Sequence, residues 1–265
     1  MIDYHMHSDF SADCNTPMEE TIQAAIKKGL KEICFTEHVD YDYPDDSIDF
    51  SLDVVRYDET IKRLQAKYAD KITVKKGVEI GLQPHVLEES AQLVKDNNFD
   101  FIICSLHAAD NKDLHYGTFY EGRTTEEAYE YYYKELLHCI ERFEHYSVLG
   151  HLDLVKRYKA LDSERNFHEV IREIFKLIIP QGKGIEINTS GFAYGLGAAM
   201  PSDDILKLYK ECGGEIITIG SDAHEANHVG REFTQSLQLL KDIGFEYIAS
   251  FDQLKPKFHK IDGLL

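Results

Sequence analysis

The amino-acid sequence predicts an α/β fold in which parallel strands close into a barrel. Short apolar, β-branched runs alternate about seven times with longer amphipathic segments, and this alternation is typical of βα units that build a parallel sheet. At 265 residues the chain has the usual length of one barrel domain. No linker rich in Pro, Gly or Ser and no internal repeat divides it. We therefore expect a single domain over residues 1–265.

The strand candidates are the short runs in which apolar and β-branched residues dominate. The clear ones are Ile2–His7, Lys31–Thr36, Ile72–Ile80, Phe99–Leu106, Tyr146–His151, Gly184–Thr189 and Glu215–Ser221. A further run at Tyr247–Phe251 is weaker.

Helix starts are marked by capping residues and prolines. Thr16 and Glu19 have the spacing of a capping box, with Pro17 at the first helical position, and Gly29 ends that helix. Further start signals stand at Pro84, at Pro201 and at the Thr124–Glu127 box, which opens a long helix through Phe143.

The charge balance restricts the class of partner. The chain has 29 Lys+Arg against 47 Asp+Glu, a formal charge of −18, whereas broad nucleic-acid binding needs a basic face. No apolar run approaches the length of a membrane span and no signal peptide opens the chain. The five cysteines are scattered and odd in number, which disfavours a disulfide framework. We expect a cytoplasmic protein that binds neither nucleic acid nor membranes; its oligomeric state stays open.

Histidines and carboxylates stand at the downstream ends of nearly all predicted strands. They are His5, His7, His38, Glu79, His107, His151, Asp222 and His224. In a parallel barrel the carboxyl ends of all strands meet at one rim, and residues two apart on a strand point to the same face. Imidazole and carboxylate groups bind divalent metals, and this set exceeds the needs of one ion. The pattern predicts a multi-metal hydrolytic site.

Taken singly, each of these residues is more often an ordinary hydrogen-bonded or paired side chain. The metal interpretation depends on the joint pattern, because ionisable groups are depleted from apolar strands. Asn188 and Ser190 end the sixth strand at the same rim, where they could hydrogen-bond substrate or ligands. Two longer loops, Asp40–Phe50 and Ala108–Arg123, follow strands on this side; each is either a lid or an exposed loop.

Short motifs follow one another along the whole chain. They are His-Met-His (5–7), Asp13, Thr-Glu-His (36–38), Gly-Val-Glu (77–79), Ser-Leu-His (105–107), Gly-His-Leu-Asp (150–153) and Gly-Ser-Asp-Ala-His (220–224). In this order and spacing they resemble the PHP family, named for polymerase and histidinol phosphatase domains. The resemblance implies a distorted, TIM-like (β/α)7 barrel that binds up to three metal ions at the carboxyl rim of its strands.

Carried over by position, the resemblance implies a ligand set for each ion. The first ion would be held by His5, His7, Glu79 and Asp222; the second by Glu79, as a bridge, with His107 and His151; the third by Asp13, His38 and His224. Relatives place His at position 13, so Asp13 is a departure. Nitrogen and oxygen ligands suit Zn, Mn, Fe or Co, and we expect two to three divalent ions.

The stand-alone length and the run Gly-His-Leu-Asp-Leu-Val-Lys-Arg (150–157) point to the histidinol-phosphate phosphatase branch of that family. The resemblance therefore implies hydrolysis of a small phosphate monoester, L-histidinol phosphate, to L-histidinol and phosphate in histidine biosynthesis. The alternatives are a PHP-type phosphoesterase or exonuclease acting on nucleotides or oligonucleotides, and a non-catalytic metal-binding protein. The acidic charge disfavours the exonuclease.

Catalytic roles are assigned to Glu79, Asp153 and His224. Asp153 is a candidate proton donor for the leaving group; alternatively it orients His151 or caps a helix. The candidate phosphate-binding residues are the arginines expected near the rim: Arg157, Arg231 and, more weakly, Arg123.

Overall fold

The structure, a computed structural model, describes residues 1–159 and 166–265. Its centre is one seven-stranded sheet in which each strand pairs in parallel with its neighbours in the chain. The strands are β1 (Ile2–Asp3), β2 (Glu32–Val39), β3 (Thr73–Gly81), β4 (Phe101–Ser105), β5 (Val148–Leu149), β6 (Gly184–Asn188) and β7 (Ile217–Gly220). Each of the seven clear strand candidates contains or overlaps one of them.

The sheet curls until its first and last strands meet. Met6 and Ala223 form a parallel bridge beyond the ends of β1 and β7. The Tyr4 amide donates to the Ile219 carbonyl at 2.9 Å, and the His7 amide donates to the Ala223 carbonyl at the same distance. These bonds make a nearly closed barrel of seven parallel strands, as the sequence predicts.

Helices surround this barrel. They are α1 (Met18–Lys27), α2 (Val54–Tyr68), α3 (Leu87–Asp96), α4 (Thr125–Ile140), α5 (Val155–Tyr158), α6 (His168–Ile178), α7 (Ser190–Ala193), α8 (Asp203–Glu211) and α9 (Phe233–Ile243). Buried apolar side chains from helices and strands form one continuous core. Within the described ranges no helix combines the length and the apolar character that a bilayer crossing requires.

One predicted capping box is confirmed and the other is wrong. At α4 the Thr124 hydroxyl accepts from the Glu127 amide, and the Glu127 carboxylate accepts from the Thr124 amide. At α1 the Thr16 hydroxyl does not cap the helix, because it donates instead to the His224 carbonyl at 2.8 Å; the Met18 amide donates to Asp9 Oδ1 at 3.3 Å. The Thr16 bond ties the segment before α1 to the segment after β7.

The weak strand candidate near the carboxyl terminus lies outside the barrel. β8 (Tyr247–Asp252) pairs antiparallel with β9 (Lys255–Lys260). The Phe251 amide donates to the Tyr4 hydroxyl at 3.0 Å, and the Leu254 amide donates to the Asp100 carbonyl at 2.9 Å. Since Asp100 precedes β4, this hairpin covers the amino-terminal end of the barrel and leaves the opposite end open for a site.

Candidate metal centre

The predicted ligands converge at the carboxyl ends of the strands. They lie within or just beyond the strand ends: His5 and His7 after β1, His38 in β2, Glu79 in β3, His107 after β4, His151 after β5, and Asp222 and His224 after β7. The barrel therefore brings together side chains from strands far apart in sequence, as its topology requires.

Glu79 lies at the centre of the group and is fully buried. Its Oε1 atom is 3.0 Å from His151 Nε2 and 3.3 Å from His107 Nε2. Its Oε2 atom is 3.1 Å from His5 Nε2 and 3.5 Å from His7 Nε2. Oε2 is also 3.3 Å from His38 Nδ1. The two oxygens thus face different sets of imidazoles, an arrangement that suits a carboxylate between two ions.

The first-ion candidates form a compact cluster. His5 Nε2 and His7 Nε2 are 3.1 Å apart, and Asp222 Oδ1 is 3.7 Å from the former and 3.4 Å from the latter. Asp222 has a left-handed backbone with φ of 52°, a conformation that is uncommon for residues other than glycine. Its amide donates to the His5 carbonyl at 2.8 Å. This bond crosses the barrel seam, the junction at which the segments after β1 and β7 meet.

The third-ion candidates lie nearer to solvent. Asp13 Oδ2 is 3.2 Å from His224 Nε2 and 3.6 Å from His38 Nε2. The Asp13 side chain is 38% exposed, and it reaches the rim from the loop that precedes α1. The residue at the position where the sequence departs from the family pattern is therefore within reach of both imidazoles.

The donor set fits divalent metal ions. Four groups of three side chains, drawn from the histidines, Glu79 and Asp222, each have ligand atoms within 4.8 Å of one another. Nitrogen and oxygen ligands at roughly 2.1 Å from a tetrahedral ion lie about 3.4 Å apart, and the separations around Glu79 and Asp222 are of this size. Several imidazoles packed this closely around buried carboxylates are typical of a polynuclear site.

The electrostatics of the cluster agree with cation binding. Burial alone would raise the pKa of Glu79, but the surrounding His5, His107 and His38 hold it well below its usual range. Burial, reinforced by His38 and His224, lowers the pKa of His7 to about 3, so its imidazole is neutral and keeps a lone pair for a metal at neutral pH.

A layer of polar residues behind the ligands fixes the imidazole rings. Glu186 Oε1 is 2.7 Å from His5 Nδ1, and Asp40 Oδ1 is 2.7 Å from His107 Nδ1. The Ser11 hydroxyl is 3.2 Å from His7 Nδ1 and donates to buried Glu37 at 2.7 Å. With these three Nδ1 atoms held in this way, the Nε2 atoms of the same rings face the centre. The sequence interpretation missed this layer, although Glu186 stands conspicuously between two isoleucines of an apolar strand.

A cavity of about 340 Å³ opens above the ligands. Its lining combines the candidate ligand histidines and carboxylates, Arg157 and a set of aromatic and apolar side chains. The aromatic and apolar lining consists of Tyr43, Ile48, Phe50, His115, Tyr116, Leu154, Tyr158 and Tyr194. Both long rim loops supply part of it, so they form a wall of the cavity rather than loops remote from it.

Of the three arginines, only Arg157 lines this cavity. Its Nη2 atom donates to Ser190 Oγ at 2.5 Å and to Asp222 Oδ2 at 3.0 Å, and its guanidinium lies 4.3 Å from the ring centre of Tyr194. Arg231 lines a smaller adjoining cavity that shares Asp222, His224 and Tyr194 with the first. Arg123 lies elsewhere, paired with Asp110 and packed on Phe119, a position that gives its predicted phosphate-binding role no support.

Asp153 is buried behind the cavity and does not line it. Its Oδ2 atom accepts from the Ser202 amide and lies beside Lys156 Nζ, both at 3.0 Å. No hydrogen bond joins it to His151, whose Nδ1 has no partner among the described residues. Its position therefore gives no support to a proton-donor role and fits a carboxylate that fastens the segment before α8.

Comparisons with known proteins agree with this geometry. The PHP domain family model matches residues 3–190. The histidinol-phosphatase of Lactococcus lactis subsp. lactis is 37% identical over 260 residues, spanning 96% of this chain and 95% of that protein. A Clostridium acetobutylicum protein named "Probable histidinol-phosphatase" is 32% identical, spanning 93% and 97%.

A solved structure resembles the whole chain. The crystal structure of the Lactococcus lactis histidinol phosphate phosphatase, complexed with zinc, L-histidinol and phosphate, superimposes with a TM-score of 0.86. It shares 34% identity, and the match covers 97% of this chain and 98% of the other. The family model, the near full-length relatives and the seven-stranded barrel agree: this chain belongs to the PHP domain family.

Proposed function

We propose that this protein is a histidinol-phosphate phosphatase, which hydrolyses L-histidinol phosphate to L-histidinol and phosphate. The observation that carries the proposal is the full-length likeness to an enzyme whose structure holds zinc, L-histidinol and phosphate. In this chain the matching barrel end has clustered metal-ligand side chains beneath a cavity. The imidazoles, carboxylates and arginine that line this cavity suit a phosphate group and the cations that bind it.

Two to three divalent ions fit the ligand groups. His5, His7, Glu79 and Asp222 would hold the first; Glu79, His107 and His151 the second; Asp13, His38 and His224 the third. Zinc, manganese and iron all suit nitrogen and oxygen donors. Divalent ions in such a site neutralise phosphate charge and lower the pKa of water toward neutrality.

Arg157 is the residue that we assign to phosphate orientation. Asp222 and Ser190 hold its Nη2 atom, and Tyr194 packs on its face, so the guanidinium is positioned before substrate arrives. Its Nε atom is buried and has no hydrogen-bond partner among the described residues. A preorganised donor at the cavity wall stabilises negative charge without reorganisation during the reaction.

The aromatic lining of the cavity suits the leaving group. L-histidinol carries an imidazole ring, and Phe50, Tyr43 and Tyr116 line the same cavity as the candidate ligands. The Tyr43 hydroxyl donates to the buried Asp113 carboxylate, which joins the two rim loops and steadies this wall. Ring packing on such a surface favours a leaving group that carries an aromatic ring over one that is wholly aliphatic.

The decisive experiment compares phosphate release from L-histidinol phosphate, a generic phosphate monoester and a short oligonucleotide, with metal content measured in the same preparations. We expect kcat/KM for L-histidinol phosphate to exceed that for the generic ester by far more than tenfold. A preference of tenfold or less would contradict the specific assignment. Preferential hydrolysis of the oligonucleotide would establish the nuclease alternative, and bound metal without any turnover would establish the binding-protein alternative.

A further inference from the structure

Asp40 is a buried carboxylate in the cavity wall that the ligand set leaves unused. It is the first residue after β2, and its side chain is only 5% exposed. Its Oδ1 atom is 2.7 Å from His107 Nδ1, and its Oδ2 atom is 3.5 Å from His38 Nδ1. One carboxylate thus reaches two imidazoles that come from different strands.

These two histidines belong to different ion sites in the proposed centre. His107 turns its Nε2 atom to Glu79 Oε1 at 3.3 Å, in the second site. His38 turns its Nε2 atom to Asp13 Oδ2 at 3.6 Å, in the third. His107 therefore presents Nδ1 to Asp40 and Nε2 to Glu79. His38 Nδ1 lies between Asp40 Oδ2 at 3.5 Å and Glu79 Oε2 at 3.3 Å. A carboxylate on Nδ1 fixes which nitrogen carries the proton and how the ring is oriented.

The backbone of β3 is shaped to admit this carboxylate. Gly81, at the end of β3, lies beside Asp40, and a Cβ atom there would come within 1.9 Å of Asp40 Oδ1. Any larger residue would push the carboxylate away from the imidazoles. Only glycine leaves the carboxylate where it stands, so glycine at this strand end is matched to the position of Asp40.

The Oδ2 atom of Asp40 and the Nδ1 atom of His38 are both buried without a hydrogen-bond partner. Unpaired buried polar atoms are unfavourable. A small rotation of either side chain would bring these two atoms into hydrogen-bond range and satisfy both. After such a rotation, the Asp40 carboxylate would be hydrogen-bonded to both imidazoles.

We propose that Asp40 is a positioning residue that holds His38 and His107 together and thereby links occupancy of the second and third metal sites. The inference rests on the proposed metal centre. It assigns Asp40 no contact with the reacting atoms. The His5, His7 and Asp222 cluster does not touch Asp40 in any described contact, and only the shared ligand Glu79 joins that cluster to His38 and His107, so we expect the first site to depend on Asp40 least.

The test is binding of Zn²⁺ to metal-stripped protein, measured by calorimetry with a competing chelator and by elemental analysis. For Asp40→Asn we expect two ions to bind roughly 10- to 100-fold more weakly, the range known for residues that orient metal ligands. The ion at His5, His7 and Asp222 should bind as in the wild type. Gly81→Ala should give the same pattern, because it displaces the carboxylate without changing its chemistry.

Asp42→Asn is the matched control. Asp42 lies two residues along the same loop, is 71% exposed and pairs with His85 at 2.8 Å, so its neutralisation should leave all ions bound with wild-type affinity. Thermal unfolding of the metal-stripped proteins tests for damage to the fold, and we expect Asp40→Asn to match the wild type.

Three outcomes would overturn the proposal. Wild-type stoichiometry and affinities in Asp40→Asn would refute the positioning role alone. Equal weakening of every ion would refute its restriction to the second and third sites. A wild-type protein that binds no zinc would refute the metal centre and the inference with it.

Discussion

The side chain of Glu79 contacts five imidazoles, each through a nitrogen between 3.0 and 3.5 Å from one of its oxygens. The Ser105 hydroxyl adds a hydrogen bond to Oε1 at 2.6 Å. A side chain that joins so many donors fixes the spacing of the whole centre. We therefore expect the chemistry of the site to depend on the negative charge that both oxygens of this residue share.

Glu79→Gln should abolish turnover and leave the fold intact. The amide keeps the shape of the side chain but removes the charge and replaces one oxygen by a donor that cannot bind a metal. We expect kcat to fall by more than the roughly 100-fold typical of residues that only orient ligands. Phosphate release measures this, circular dichroism checks the fold, and Glu88→Gln, an exposed change on α3, is the control. An active Glu79→Gln enzyme would refute the bridging role.

Glu186→Gln should weaken metal binding without removing a ligand. Glu186 Oε1 accepts from His5 Nδ1 at 2.7 Å, while Oε2 accepts from the His151 amide and from Asn188 Nδ2, both at 3.0 Å. An amide has one oxygen, so one of these donors would face an NH₂ group. We expect zinc affinity to fall roughly 10- to 100-fold, measured by chelator competition. Unchanged affinity would show that His5 needs no such partner.

Among individual residues, the candidate ligands could be predicted from the sequence, whereas the residues that hydrogen-bond to those ligands could not. Each ligand candidate except Asp13 stands at or just beyond a strand end, a position that strand periodicity reveals. Asp40 follows a strand too, but it is one of 47 acidic residues, and only the fold shows that it faces two imidazoles. Asp153 illustrates the converse: it lies two residues after His151 in sequence, yet its side chain points away from the cavity toward Ser202.

At the scale of secondary-structure elements, close packing restricts which residue types fit at the strand ends. A Cβ atom on Gly220, the last residue of β7, would lie 2.2 Å from Glu186 Oε1 and 2.3 Å from His5 Cβ. The absence of a side chain at this position lets β1, β6 and β7 approach one another beneath the first-ion cluster. The strand-end glycine is thus part of the site's construction.

Gly220→Ala should therefore damage both stability and metal binding. Overpacking of this kind costs about 1–3 kcal/mol, and the displaced Glu186 would release His5. Urea unfolding measures the first effect and zinc titration the second. Gly263→Ala is the control, since a Cβ there meets nothing within 4 Å, and it should change stability by less than about 0.5 kcal/mol. Wild-type stability in Gly220→Ala would show that the seam can relax.

Element boundaries show where sequence patterns fail. The apolar run at Ile2–His7 predicts six residues of strand, but only Ile2–Asp3 pair regularly with β2. The remainder follows the barrel seam, where Met6 bridges to Ala223 and the pairing partner changes. The weak run at Tyr247–Phe251 is a strand, but its partner is β9 rather than the barrel. Apolar alternation predicts that a strand exists; it does not identify the neighbour.

At the scale of the whole molecule, the metal centre and the barrel closure occupy the same place. The candidate ligands come from the ends of six of the seven strands, all except β6. Bound ions would therefore cross-link the seam between β1 and β7 as well as neighbouring strands. Without bound ions, several imidazoles and carboxylates lie crowded together in a buried space. Cations bound among them would stabilise this arrangement.

Metal removal should consequently lower the stability of the whole barrel. A ligand that binds only the folded state stabilises it by about 4 kcal/mol when its concentration is 1,000 times its Kd, and several ions in one centre add to this. We expect the melting temperature of the chelator-stripped protein to fall by several degrees and to rise again with added Zn²⁺ in a concentration-dependent way. In Glu79→Gln, which lacks the bridging charge, the same zinc titration should give a smaller rise. A melting temperature that is identical with and without metal would mean that the ions, if bound, do not clamp the strand ends.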